Sequence, residues 1–302
     1  MKKPSFNRDR AAALMLSLWA LFLLSAMLIS WALEIDSRLV ISGNAHRALE
    51  AEAMACSGAE VALHPAVGPG SPLLEAQVAG TQSYEARITG EGGRLNLNWI
   101  LAGEDPDRLE ILRKYLEIRG VDLNERDRMI DCLLDWVDPD SLNRLNGAEA
   151  EDNYRPSNTL LTRIEHVKKI RGWNDFVSLP GWDADLTLNS TGPIDVLWAS
   201  REVLMSLPGL GEALVDQFLM LRRGADGIDG TPDDAPYKSL AEVRVALGFT
   251  EEQFGQLAEL IGFKDQTLRV VSVGKSGDVT RTVQMVIRKT GTLPQLITWK
   301  EL

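Results

Sequence analysis

The sequence predicts an α+β protein: one long N-terminal helix, a small antiparallel sheet, and a large helical block inserted into that sheet. Three observations predict it. The uncharged run 11–33 leads, without proline, into a periodic segment that reaches Leu63. Alternating segments stand at 83–88, 267–274 and 280–288, the last two rich in β-branched residues, with a last strand at 294–300. Helical patterns fill the interval between the first strand and the others. Separate all-α and all-β domains would leave the short sheet without a helix to cover it, so one interrupted sheet is the better reading.

The N-terminal helix comes first. Residues 11–33 form an uncharged run of 23 residues, and about 20 suffice to cross a bilayer core. An ordinary signal peptide has a shorter apolar core. Lys2, Lys3, Arg8 and Arg10 precede the run against a single Asp9, which places that end in the cytoplasm and the remainder outside. Trp19 and Trp31 suit the two interfaces. Beyond the run, Ile35, Leu39, Ser42, His46, Leu49, Ala53 and Cys56 recur at alternating steps of four and three, one stripe of a helix. The helix is expected from Ala12 to Leu63, where His64-Pro65 ends it.

A short basic leader followed by such a rod resembles type IV pilins and pseudopilins. The stretch Arg10-Ala11-Ala12-Ala13-Leu14-Met15-Leu16-Ser17-Leu18-Trp19 resembles the start of the K component of type II secretion systems. The resemblance implies cleavage by prepilin peptidase between Ala11 and Ala12, with methylation of the new N-terminus. The family usually has glycine where Ala11 stands. Leu16 becomes the fifth mature residue, where most pilins carry a glutamate and the K component does not. A carboxylate without a partner in hydrocarbon is costly, and a subunit at a filament tip has no neighbour ahead of it to supply one.

After a Gly/Pro/Ser linker at 67–72, Ser83–Ile88 reads as a strand and Gly90–Gly93 as a turn. Helices are expected at 106–119 and 125–137, the second with Asp122 or Asn124 as its cap. Asp135, Asp138, Asp140, Glu149, Glu151 and Asp152 then crowd the loop that follows. Like charges at this density repel unless a cation or hydrogen bonds compensate. Calcium, a hard ion with oxygen ligands, is one solution, and a solvated acidic loop with helix-end hydrogen bonds is the other. Arg94–Trp99, the run Leu133–Asp140, Gly147-Ala148-Glu149 and Tyr154-Arg155-Pro156-Ser157-Asn158 resemble the same K family, which is associated with calcium in this domain. Ala150 departs from the family, which has an aspartate there.

Leu186-Thr187-Leu188-Asn189 echoes Leu95-Asn96-Leu97-Asn98, and a helical pair follows each. The second pair contains Leu207-Pro208-Gly209-Leu210-Gly211, a helix–hairpin–helix pattern that elsewhere contacts DNA phosphates. Here Glu212 follows directly, and Arg222 and Arg223 stand beside acidic residues, so packing is the preferred role. Asp226, Asp229, Asp233 and Asp234 lie in a glycine-rich turn that reads equally as a second ion site or a polar loop. Capped helices are expected from 238 and at 250–261. Gly277-Asp278 marks the hairpin between the strands at 267–274 and 280–288.

Composition narrows the function. The 302 residues carry a net charge of −11, which disfavours nucleic acid as the main partner. Two cysteines, Cys56 and Cys132, form no disulfide scaffold; they pair in an oxidising compartment or stay as buried thiols. His46, His64 and His166 have no zinc spacing. No nucleophile–base pair or phosphate loop stands out, so the chain reads as no enzyme.

The domain reading is a leader at 1–11, a membrane-spanning half-helix at 12–33, an amphipathic half with first strands at 34–94, the insertion at 95–265 and closing strands at 266–302. The resemblance implies a periplasmic, inner-membrane-anchored minor pseudopilin at the tip of the pseudopilus, with the I and J minor pseudopilins as partners. The alternatives are a membrane-tethered DNA-binding protein of a competence system and a minor pilin of a type IV pilus.

Overall fold

The computed structural model describes residues 8–291 and 293–302, with side chains from residue 12 onward in the first helix. Most of the expected leader, residues 1–7, lies outside the described residues, and so does the side chain of Ala11. Helix α1 runs unbroken over Arg8–Leu63, 56 residues and about 80 Å. Its first half is exposed on every side, from Leu14 at 62% to Leu33 at 65%. This helix is long and apolar enough to cross a membrane.

The packing face of the second half is not the expected stripe. Leu39 and Leu49 are exposed, and the buried positions are Ala51, Ala55, Ala59 and Ala62. Small side chains win because the sheet comes too close for large ones. A Cβ on Gly274 of the sheet would collide with the backbone of Ala51 and Ala55, and one on Gly58 of the helix would strike Ser272 and Tyr84.

The remaining elements follow in order. Strands β1 (Glu75–Ala79) and β2 (Gln82–Gly90) make the first hairpin. The insertion contains β3 (Leu95–Asn96), α2 (Leu97–Leu101), α3 (Pro106–Ile118), α4 (Leu123–Val137) and α5 (Asn174–Val177). It continues with β4 (Leu186–Thr187), β5 (Ile194–Asp195), α6 (Arg201–Ser206), α7 (Glu212–Arg222), α8 (Leu240–Ala246), α9 (Glu251–Gly255) and β6 (Ile261–Gly262). Then β7 (Thr267–Ser276), β8 (Val279–Arg288) and β9 (Gln295–Glu301) complete an antiparallel sheet of order β1-β2-β7-β8-β9.

Strand β1 carries a weak sequence signal, because Glu-Ala-Gln-Val-Ala is short, with Val78 as its single β-branched residue and alanine at its other apolar positions; it pairs as an edge strand with a register shift between Gln77 and Ala79. The expected helix at 250–261 stops at Gly255. Asp122 occupies the N-cap of α4 without a side-chain bond.

Two hydrophobic cores result. Ala55, Ala59, Ile88, Val270, Met285 and Ile287 fill the space between α1 and the sheet. The insertion has its own, larger core, including Tyr115, Leu133, Trp173 and Phe218. The echoed Leu-x-Leu-Asn segments are physically joined: Leu95 and Asn96 pair in parallel with Leu186 and Thr187. Asn96 also caps α2 by accepting from Trp99 N, and its amide donates to Ser190 O at 2.8 Å. One buried asparagine thus starts the first helical pair and ties it to the second.

A candidate metal centre

The centre is built where α4 ends. Met129, Ile130, Leu133 and Leu134 bury one face of α4, and Asp135 falls on that same face with no exposure at all. Asp138 is the C-cap, its N–H donating to Leu134 O at 3.0 Å. The chain then loops through 139–146 and returns over Asp135. Gly147 permits the return, because a Cβ there would overlap the Asp135 carboxyl group. Glu149 follows at 9% exposure. Single carboxylate oxygens of Asp135, Asp138 and Glu149 lie within 4.8 Å of one another.

The Tyr154–Asn158 segment fastens this loop to the helix end. Asn158 N donates to Trp136 O at 3.0 Å, and its side chain donates to Asp140 O at 3.0 Å. The Tyr154 ring packs against Trp136 at 5.9 Å, and the Arg171 guanidinium lies over the Tyr154 ring at 4.5 Å. Burial pushes the Tyr154 hydroxyl up to about 12.

Arg144, a residue not singled out in the sequence, reaches into the cluster. Its backbone N–H donates to Asp135 Oδ2 at 3.3 Å, and Nη1 to Asp135 Oδ1 at 2.5 Å and to Asp138 Oδ2. Its Nη2 donates to Glu104 Oε1 at 2.7 Å. Even so, Asp138 Oδ1 and Glu149 Oε1 are buried without a hydrogen-bond partner among the described residues. Burial, reinforced by the charges of Asp135 and Asp138, raises the Glu149 carboxyl above the usual carboxylate range. Buried, unpartnered carboxylate oxygens of this kind fit a hard cation with oxygen ligands.

The other acidic candidates stand apart. Asp140 Oδ1 accepts from Leu142 N at 2.7 Å, Glu151 pairs with Arg171 at 2.5 Å, and Asp152 is exposed. In the second acidic turn each carboxylate has local work. Asp229 pairs with Arg222 and Arg223, and Asp233 accepts from Ala225 N and from the Thr231 hydroxyl. Asp234 accepts from Gly230 N, and Asp226 from Ile228 N. Arg222, 3% exposed, also donates to Val196 O and Ala199 O, so the helix–hairpin–helix unit uses this arginine internally.

A long apolar-to-amphipathic helix laid on an antiparallel sheet, with a helical insertion between sheet strands, defines the class: a pseudopilin fold with an inserted helical domain. Residues 93–177, which contain the whole acidic centre, match the family described as Type II secretion system (T2SS), protein K. A 69-residue stretch is 30% identical to the type II secretion system protein K of Dickeya chrysanthemi, covering 22% of this chain and 20% of that protein. The fold is similar to a chain in the crystal structure of the GspK-GspI-GspJ complex from enterotoxigenic Escherichia coli. There the TM-score is 0.59 at 15% identity, over 89% of this chain and 99% of that one. The chain thus spans about a fifth of that curated relative; residues 93–177 are similar to the protein K family of type II secretion systems, and the fold as a whole is similar to the Escherichia coli chain.

Proposed function

We propose that this chain is a type II secretion minor pseudopilin that sits at the tip of the pseudopilus, where it initiates assembly and caps the filament for protein export across the outer membrane. The observation that carries the reading is the pairing of a bare apolar half-helix with a bulky domain inserted between β2 and β7. The helix supplies the means of joining a bundle of like helices, and the bulk obstructs a further subunit above. The GspK-GspI-GspJ complex supports I- and J-type minor pseudopilins as partners. In this reading prepilin peptidase cuts between Ala11 and Ala12, and α1 holds the chain in the inner membrane with the globular part in the periplasm. Gold-labelled antibody against the insertion should mark filament ends alone; labelling along the shaft would sink the proposal.

Calcium is the proposed ion of the acidic centre. Asp135, Asp138 and Glu149 would hold it, and it would neutralise carboxylates that burial has stripped of water. Excess calcium should raise the melting temperature relative to chelator, and Asp138→Asn with Glu149→Gln should abolish the rise. An unchanged melting temperature in the unaltered protein would leave the centre without an ion.

A further inference from the structure

The centre already contains a cation of its own. Arg144 is held by Asp135 and Asp138, two of the three carboxylates whose oxygens converge, and by Glu104 from the turn after α2. The cluster is nevertheless unfinished, because Asp138 Oδ1 and Glu149 Oε1 are buried without partners among the described residues and Glu149 is nine-tenths buried. One guanidinium cannot satisfy both sides of the cluster. It bonds the Asp135 and Asp138 oxygens on its own side and leaves the Glu149 side empty-handed. A divalent ion within reach of Glu149 and Asp138 would share a carboxylate with Arg144 and sit beside a charge of the same sign.

From this geometry we infer that Arg144 is a tethered competitor for the metal, a built-in counter-cation that sets how tightly the centre binds. The inference rests on the metal reading above and adds a residue that the acidic motifs do not contain. Without metal, Arg144 holds the loop 139–146 against α4 through Asp135 and ties it to Glu104. With metal, the carboxylates are shared with a stronger cation, and the arginine contacts weaken in proportion. The two states exchange one cation for another, so the fold keeps a charge balance at this helix end whether calcium is abundant or scarce. Affinity is lowered by the same interactions that hold the metal-free loop.

The test is a calorimetric titration of the full chain in detergent micelles with calcium chloride, using the unaltered protein, Arg144→Gln and Arg144→Lys. Removal of one charge-assisted hydrogen-bonded competitor should tighten calcium binding about tenfold in Arg144→Gln. Arg144→Lys, which keeps the charge but not the fork, should fall between the two. Arg144→Gln should also melt lower than the unaltered protein in chelator and recover most of that deficit in excess calcium. Binding in Arg144→Gln alone, with none in the unaltered protein, would equally support competition. Equal or weaker calcium binding in Arg144→Gln would overturn the inference and leave the metal reading standing. Absence of binding in all three proteins would remove both.

Discussion

Glu91 and Arg269 are 178 residues apart in the chain and form a two-bond ion pair in the fold. Arg269 Nε lies 2.7 Å from Glu91 Oε2, and Nη2 lies 2.8 Å from Oε1. Glu91 is fully buried and also accepts from Arg94 at 3.1 Å and from the Thr187 hydroxyl. The turn after β2, the central strand β7 and the insertion's β4 therefore meet on one carboxylate. Glu91→Ala would leave two guanidinium groups facing a void and should cost about 3–5 kcal/mol. Urea unfolding of the variant measures it, and a loss below about 1 kcal/mol would show that water replaces the carboxylate.

Gly274 and Ala51 define how close α1 lies to the sheet. Gly274→Ala forces a methyl group against helix backbone, which has no rotamer by which to move aside. The expected loss is about 1–3 kcal/mol, seen as a lower melting temperature. An unchanged value would mean that the helix lifts from the sheet at little cost.

Asp195 links pH to stability. It is fully buried, accepts from Asp265 N at 2.9 Å and Leu197 N at 3.1 Å, and burial pushes its carboxyl up to about 6. The folded value exceeds the unfolded one of about 3.9, so the folded state binds the proton more tightly. The stabilisation is fully present below about pH 4 and is lost as pH rises through about 6, on the order of 3 kcal/mol in all. Asp195→Asn should remove this slope. Unfolding free energies between pH 4 and 7 that run parallel in the two proteins would refute the assignment.

The two cysteines should differ in reactivity. Cys132 is buried beside the acidic centre, and burial pushes its thiol up to about 11. Cys56 is half-buried on α1. A thiol-reactive dye should therefore label Cys56 in the folded protein and Cys132 only after unfolding, as peptide mapping would reveal. Equal labelling would mean that the loop over α4 opens readily.

Much of this architecture is legible in the sequence because it depends on local periodicity. The extent of α1, the helices α3 and α4, and the strands β2, β7, β8 and β9 all follow from patterns a few residues long. The packing face of α1 was not legible, because hydrophobicity favours Leu39 and Leu49 whereas the governing quantity is the clearance set by the distant Gly274. The acidic centre was half legible. Carboxylate density pointed to Asp135, Asp138 and Glu149, but it gave no means to separate them from Asp140 and Glu151, whose partners are local backbone and Arg171, or from the exposed Asp152. Arg144 was invisible to a search for carboxylates. A lone arginine among six acids within eighteen residues is the signal that could have found it. Glu91 falls within the expected Gly90–Gly93 turn with no local sign of burial, since its partners Arg269 and Thr187 are distant in the chain.

The insertion leaves the sheet at Gly90 and returns at Thr267, and Gly90 faces Leu268 across the β2–β7 pair. Residues 91–266 thus occupy the position of a simple hairpin loop. Their two ends stand about one strand spacing apart, roughly 5 Å. Closing a loop costs only logarithmically more as it lengthens, and this loop brings its own hydrophobic core. The domain is therefore a cassette in the topological sense. Excised and replaced by a short turn, it would leave the register of β2 on β7 untouched, and grafted into the same hairpin of another filament subunit, it would arrive already closed.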